Sequence, residues 1–464
     1  MTLIKSISGI RGTIGGAIGE GLTPFDAVKF AAAYGCWIKT RSNAKAPKVI
    51  VGRDARLSGQ MISDLVISTL QGLGISVVNL GLSTTPTVEL AVPLEKADGG
   101  IILTASHNPK QWNALKLLNE NGEFLSAKDG AEILDIADKE DFDFAEVDDL
   151  GTLTNDDSYL QKHVSAVLNL PLVNPELIRR KNFKIVVDAV HSTGGIFVPA
   201  LLRALGVANV IELYCEPTGH FPHNPEPLPE NLTAISEKIK ETGADLGIVV
   251  DPDVDRLAFV NEDGTMFGEE YTLVAVADYV LGSTPGNTVS NLSSTISLKE
   301  ITEKHQCIYN AASVGEVNVV EKMKATNAII GGEGNGGIIY PESHYGRDAL
   351  VGIGLFLTHL AKSGLTASEL RQEYPNYFIS KNKIQLEPSM DVDAILDIVA
   401  KKYNDREVDL QDGVKIYFDK GEWVHLRKSN TEPIIRIYSE SRDESQANKL
   451  ANEIMADIRS VAVH

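Results

Sequence analysis

The sequence predicts three similar α/β domains with mixed, largely parallel sheets, followed by a C-terminal α+β domain. Three observations carry this expectation. Short Val- and Ile-rich runs alternate with segments of helical periodicity, the pattern of strands covered by helices on both faces. The runs come in pairs, and each strand is followed by a polar or Gly-containing loop. Towards the C-terminus the alternation gives way to a series of strands closed by one long helix, which suits a mostly antiparallel sheet.

The first pair is Lys48-Val49-Ile50-Val51 and Gly100-Ile101-Ile102-Leu103. Their loops are Gly52-Arg53-Asp54-Ala55-Arg56 and Thr104-Ala105-Ser106-His107-Asn108-Pro109. In the second pair, Lys184-Ile185-Val186-Val187 and Gly247-Ile248-Val249-Val250 lead into Asp188 to Gly195 and Asp251 to Arg256. A weaker third pair, Thr288-Val289-Ser290-Asn291 and Ala328-Ile329-Ile330, leads into Leu292 to Ser297 and Gly332 to Gly337. The arrangement reads as a degenerate threefold repeat. In the last module, Lys383 to Leu386, Val414 to Phe418, Glu422 to Arg427 and Ile434 to Ser439 read as strands. Asp391 to Tyr403 and Glu444 to Val461 read as helices. The expected domain limits are 1–155, 156–258, 259–372 and 373–464, with Pro-rich Glu216 to Pro229 a surface loop of the second domain.

The composition narrows the function. In 464 residues, 43 Lys and Arg face 63 Asp and Glu, a formal charge of −20. That surplus argues against nucleic acid or an acidic membrane as partner, but a small anion needs only one local cluster of cations. No run approaches the ~20 apolar residues of a spanning helix, and Met1 to Gly12 lacks the apolar stretch of a signal peptide. Cys36, Cys215 and Cys307 are odd in number and far apart, which fits a reducing cytoplasm.

Ligands of open parallel sheets sit beyond the carboxyl ends of the strands, where these loops lie. Asp251-Pro252-Asp253-Val254-Asp255-Arg256 places three carboxylates at alternate positions straight after an apolar strand. They repel one another unless a cation compensates them, and hard oxygen donors in this number suit Mg²⁺. An EF-hand also runs D-x-D-x-D, and Glu262 falls at its last ligand position, but Arg256 stands where that loop needs Gly. A phosphatase with Asp251 as nucleophile is a second rival.

Ser106 lies on a turn and is available to carry a phosphoryl group, for which the aspartate loop offers a counter-cation. Adjacent His107 is not expected to form a hydrolase dyad with it, since neighbouring side chains generally point apart. In Gly331 to Gly337 a backbone can approach a ligand closely, while Glu333 and Asn335 suit sugar hydroxyls. Arg427-Lys428-Ser429-Asn430-Thr431-Glu432-Pro433 combines cations, hydroxyls and loop amides into a phosphate cradle. Gly9-Ile10-Arg11-Gly12 and the loop bearing Arg53 and Arg56 add further arginines between glycines.

Together, T-A-S-H-N-P, D-P-D-V-D-R and R-K-S-N-T-E-P resemble the α-D-phosphohexomutase family, in the right order and over the whole chain. The resemblance implies four domains, the last a lid. It makes Ser106 the phosphoserine and Asp251, Asp253, Asp255 and the Ser106 phosphate the holders of one Mg²⁺. Lys116 becomes the general acid/base, Arg256 the neighbour of the transferring phosphoryl group, and Arg11 the arginine of the N-terminal loop. His107, Glu333 and Asn335 fall among the substrate-binding residues. Arg427, Ser429, Asn430 and Thr431 match the loop that grips the non-reacting phosphate. The implied reaction moves a phosphoryl group from phosphorylated Ser106 to a hexose monophosphate and back again, through a bound hexose 1,6-bisphosphate. The ligand is then a small phosphosugar, and the protein a monomer or homodimer.

The usual K-T-G-H and G-E-x-S-G-H of phosphomannomutase/phosphoglucomutase members read here as Ser313-Val314-Gly315-Glu316 and G-E-G-N-G-G, with Gly337 in place of His. Ala114 replaces a usual Gly close to Lys116. These patterns look more like archaeal-type phosphoglucosamine mutases, so glucosamine 6-phosphate is the expected substrate and mannose or glucose phosphate the alternative. The phosphatase and a non-catalytic phosphosugar-binding protein remain as further readings.

Overall fold

The computed structural model describes residues 2–6, 9–387, 390–428 and 434–462. They form two compact units, Met1–Thr272 with Asn335–Leu370, and Leu273–Gly334 with Arg371–His464.

In the first unit a mixed sheet runs in the order Leu3–Ser6, Gly9–Thr13, Trp112–Leu118, Gly99–Leu103, Lys48–Arg53, Ser76–Leu82, Leu153–Asn155. The first three junctions are antiparallel and the last three parallel. The period of two sorts its side chains into two cores. Val49, Val51, Ile101 and Leu103 meet the helices Pro24–Arg41 and Gly59–Gly72 on one face. Ile50 and Ile102 meet Val88, Ala91 and Val92 of helix Thr85–Leu94 on the other. Helix Pro24–Arg41 starts where Thr23 and Asp26 form a reciprocal capping box and Pro24 fills the first turn. A second sheet of this unit runs Leu257–Asn261, Leu246–Val250, Lys184–Asp188, Asn209–Leu213.

The repeat read from the sequence is present as topology. Each pair of runs forms hydrogen-bonded parallel neighbours: Lys48–Arg53 with Gly99–Leu103, Lys184–Asp188 with Leu246–Val250, and Asn287–Asn291 with Ala328–Glu333. Each copy adds a third parallel strand on the same side, namely Ser76–Leu82, Asn209–Leu213 and Tyr309–Ala312. Those third strands are absent from the sequence reading because they are only partly buried and carry no unbroken apolar run.

In the second unit, the C-terminal sheet runs Phe378–Gln385, Ile434–Ser441, Trp423–Lys428, Val414–Tyr417, Val408–Asp409, antiparallel throughout. Helices Val392–Lys402 and Glu444–Ala462 cover one face, burying Val414, Ile416, Val424, Leu426, Ile435 and Ile437. Polar bonds stitch this sheet to the loop after Asn287–Asn291. Lys415 Nζ donates to the Leu292 carbonyl at 2.7 Å, and Ser293 Oγ lies 2.9 Å from His425 Nδ1. The amide of Ile296 donates to Glu440 Oε2 at 2.9 Å, and Trp423 Nε1 donates to Glu440 Oε2 at 2.5 Å. Among the described residues no helix is long and apolar enough to cross a membrane.

Burial pushes the Glu440 carboxyl up to about 7. Between the ordinary glutamate value and 7 the folded chain therefore binds a proton that the unfolded chain releases, so stability falls as pH rises through that window and levels off above it. Glu440→Gln keeps an acceptor for Ile296 and Trp423 but cannot ionise. Urea titrations at about pH 5 and about pH 8 are expected to show wild type losing on the order of 1–3 kcal/mol relative to E440Q over that interval. Parallel curves would assign the pH dependence elsewhere.

Candidate active site

The loops after Gly99–Leu103 and Leu246–Val250 meet within the first unit. Ser106 is 7 % exposed and sits at φ 49°, a left-handed conformation uncommon outside Gly, Asn and Asp. Its amide donates to Thr104 Oγ1 at 2.9 Å, and Thr104 Oγ1 in turn donates to Asp54 Oδ2 at 2.7 Å. Its hydroxyl donates to Asp251 Oδ2 at 2.7 Å. The expectation that Ser106 and His107 point apart is corrected: Ser106 Oγ lies 3.3 Å from His107 Nδ1. The left-handed turn at Ser106 brings consecutive side chains together. Burial, then the charge of Arg256, holds His107 well below the ordinary histidine range.

Asp251, Asp253 and Asp255 are each fully buried. Val254, at φ 64°, is a β-branched residue in left-handed backbone, a strained position of the kind found at functional sites. Ligand atoms of the three carboxylates lie within 4.8 Å of one another. Oδ1 of Asp251 accepts the amides of Asp255 at 3.2 Å and Arg256 at 3.1 Å. Oδ2 of Asp253 accepts Thr85 Oγ1 at 2.5 Å and Lys116 Nζ at 2.7 Å. Oδ2 of Asp255 accepts Arg347 Nη2 at 2.6 Å and Lys116 Nζ at 3.3 Å. The second oxygens, Asp253 Oδ1 and Asp255 Oδ1, are buried and make no hydrogen bond among the described residues. Buried carboxylate oxygens without donors, clustered with a third carboxylate, fit a hard divalent cation.

Burial, reinforced by the charges of Asp255 and Asp253, pushes the Asp251 carboxyl well above the carboxylate range. Burial acts the same way on Asp255, but Arg347, Lys116 and Arg256 outweigh it and hold that group low. For Lys116 burial favours the neutral amine, yet Asp253 and Asp255 prevail and hold it protonated.

Lys116 lies on strand Trp112–Leu118, and Arg11 on Gly9–Thr13 pairs with Ala114, so both project from the same face of the sheet. Arg256 places Nη1 3.4 Å from Glu226 Oε1. Glu262, the EF-hand candidate, instead accepts the Ser368 amide at 3.1 Å. In the second unit, Glu333 Oε1 accepts Asn291 Nδ2 at 2.8 Å and the Gly315 amide at 3.2 Å. Arg427 pairs with Asp412 at 2.7 Å. Asn335, in the first unit, accepts the Gly337 amide at 3.1 Å. Ser429, Asn430 and Thr431 lie outside the described residues.

Sequence reasoning missed Arg347, Thr85, and the part played by Asp54 and Arg56. The one available signal for Arg347 was Gly337. A Cβ there would stand 2.3 Å from Arg347 Cδ, so the residue that departs from the G-H pattern clears the path of the arginine to Asp255.

A buried serine hydroxyl held against a carboxylate triad and ringed by cations, on a repeated α/β scaffold, defines a phosphotransferase. Four family models match in order: phosphoglucomutase/phosphomannomutase α/β/α domains I, II and III at residues 3–144, 157–264 and 268–377, and the C-terminal domain at 383–457. The chain is 37 % identical to a phosphoglucomutase/phosphomannomutase of Thermococcus kodakarensis, over 94 % of this chain and 96 % of that one. It is 31 % identical to a phosphoglucosamine/phosphogalactosamine mutase of Sulfurisphaera tokodaii, over 95 % and 96 %. A phosphoglucomutase/phosphomannomutase family protein of Burkholderia thailandensis superposes with a TM-score of 0.84 at 25 % identity, covering 99 % of this chain and 98 % of the other. The chain belongs to the phosphoglucomutase/phosphomannomutase family. It is a phosphohexomutase, an isomerase working as an intramolecular phosphotransferase.

The Gly337–Arg347 pair makes a double-mutant cycle. Gly337→Ala is expected to drive Arg347 from Asp255 and lower kcat about tenfold, as is Arg347→Met, while adding G337A to R347M costs little more. Additive losses in steady-state kcat would separate the two residues.

Proposed function

We propose that this chain interconverts the 6- and 1-phosphates of a hexosamine, glucosamine foremost, through a phosphorylated Ser106 and a bound hexose 1,6-bisphosphate. The observation that carries this reading is the Ser106 hydroxyl on Asp251, 2.7 Å away, beside two carboxylates that each keep one oxygen unbonded. Asp251, Asp253, Asp255 and the phosphate on Ser106 would hold one Mg²⁺, which when bound withdraws charge from phosphorus.

In the first transfer, the bond from phosphorus to Ser106 Oγ breaks and a bond to a sugar hydroxyl oxygen forms. In the second, the other phosphate of the bisphosphate returns to Ser106. Lys116, held protonated by Asp253 and Asp255, is suited to give its proton to the departing Ser106 oxygen and, once neutral, to take up the proton that the sugar hydroxyl sheds. Arg256 and Arg11 supply positive charge, and His107 stays neutral beside Ser106 as a hydrogen-bonding group. Glu333 and Asn335 bind sugar hydroxyls, while Arg427 with Ser429, Asn430 and Thr431 holds the phosphate that is not reacting. The proposed domains are 1–155, 156–258, 259–372 and 373–464. Against Asp251 as a phosphatase nucleophile stands its bonding: Oδ2 takes the serine hydroxyl, and Oδ1 takes two amides.

The amino-sugar reading rests on G-E-G-N-G-G and on Gly337, where the His of the mannose- and glucose-type loop would have to displace the Arg347 side chain. A second reading, mannose or glucose phosphate, is favoured by the name of the 37 %-identical relative. Turnover of glucosamine, mannose and glucose 6-phosphates, compared side by side with Mg²⁺ and a sugar bisphosphate, is expected to be fastest with glucosamine. A clear preference for mannose or glucose selects the second reading. Ser106→Ala is expected to lower kcat by about 10³-fold or more and to abolish phosphate incorporation seen by intact mass. Full activity in S106A would end the phosphoserine mechanism.

A further inference from the structure

Among the described residues Arg56 is the largest charged side chain that is fully buried, 1 % exposed, and the reaction as described does not use it. Its Nε donates to Asp54 Oδ2 at 2.9 Å, and Asp54 is itself fully buried. Nη1 donates to the carbonyls of Pro109 at 2.8 Å and Trp112 at 3.0 Å. Nη2 donates to the carbonyls of Asn108, at 2.7 Å, and Ser106. These bonds consume all five N–H donors of the guanidinium, so no donor is left for a ligand.

Asp54 completes the device from the other side. Its Oδ2 takes Thr104 Oγ1, whose oxygen accepts the amide of Ser106, and its Oδ1 takes the Arg56 amide at 2.9 Å. One ion pair thus grips Ser106 at both its amide and its carbonyl, and pins three more carbonyls of the same loop. Resting on the phosphoserine reading above, we infer that Arg56 and Asp54 are positioning residues that hold Ser106 in its left-handed turn and aim its oxygen at the aspartate loop.

The geometry requires a planar fork. A lysine ammonium has three donors and no fixed plane, so Arg56→Lys keeps the charge opposite Asp54 yet cannot span the four carbonyls. The test reads phosphate transfer from glucose 1,6-bisphosphate to Ser106 by rapid-quench intact mass, together with steady-state constants and hydrogen exchange of the peptide spanning Thr104 to Trp112. R56K is expected to slow phosphorylation and kcat about 100-fold, with KM within about threefold, and to speed exchange in that peptide. Thr104→Val, which cuts the link between Asp54 and the Ser106 amide while leaving the ion pair intact, is expected to slow phosphorylation about tenfold. It carries the test if R56K does not fold. Wild-type phosphorylation rates in a folded R56K or in T104V, even with a lower melting temperature, would overturn the inference. Failure of the wild-type protein to take phosphate on Ser106 would overturn the phosphoserine reading instead.

Discussion

Three carboxylates lie wholly out of water within 4.8 Å of one another, and the first unit is organised around making that tolerable. Buried charge is costly unless paired and hydrogen-bonded. Asp251 is met by two amides and a hydroxyl, Asp253 by a threonine and a lysine, Asp255 by an arginine and the same lysine. The amides are local, but the side-chain partners Ser106, Thr85, Lys116 and Arg347 come from four other elements, so folding of several segments is tied to one electrostatic condition. Thr85 opens helix Thr85–Leu94, and its amide also donates to the Asp253 carbonyl, which fixes the start of that helix on the aspartate loop.

The repeat explains why such partners converge. In each copy the loops leave the carboxyl ends of adjacent parallel strands, so they emerge together without any long connection. Copy one supplies Ser106 and the Arg56–Asp54 clamp, and copy two supplies the aspartates. The strained residues Ser106 and Val254 stand in equivalent loops of the two copies, each after the second strand of its pair. Left-handed backbone at a non-glycine residue costs about 1–2 kcal/mol. It persists here because four guanidinium bonds hold one loop and buried amide-to-carboxylate bonds hold the other.

The elements whose burial is set by strand periodicity were legible in the sequence. Val49 and Ile50 face opposite cores because alternation forces them to, and the paired runs give the repeat before any contact is known. The aspartate and serine loops were legible because their chemistry is local. Arg347 was not, since it reaches Asp255 across 92 positions and lies in a segment with no motif of its own. Arg56 was visible only as an arginine between small residues; its role depends on four carbonyls that sequence cannot place. The nearness of His107 to Ser106 was read wrongly because a general rule about neighbours assumes extended or helical backbone, and Ser106 adopts neither.

The net charge of −20 looks ill suited to an anionic substrate, and the local balance resolves this. Three aspartates face Lys116 and Arg347 in direct contact, while Arg256 acts on Asp255 through its field. With the Asp251 carboxyl pushed well above the carboxylate range, negative charges do not outnumber positive ones in this cluster before any ligand arrives. A phosphoryl group on Ser106 would add about −1.5 to −2 charges, which is the charge a single divalent cation offsets. Asp253 Oδ1 and Asp255 Oδ1, left without hydrogen-bond donors, are where that cation would find ligands at least cost, since no protein bond has to be broken first. The excess acidity therefore belongs outside this cluster, where water screens it.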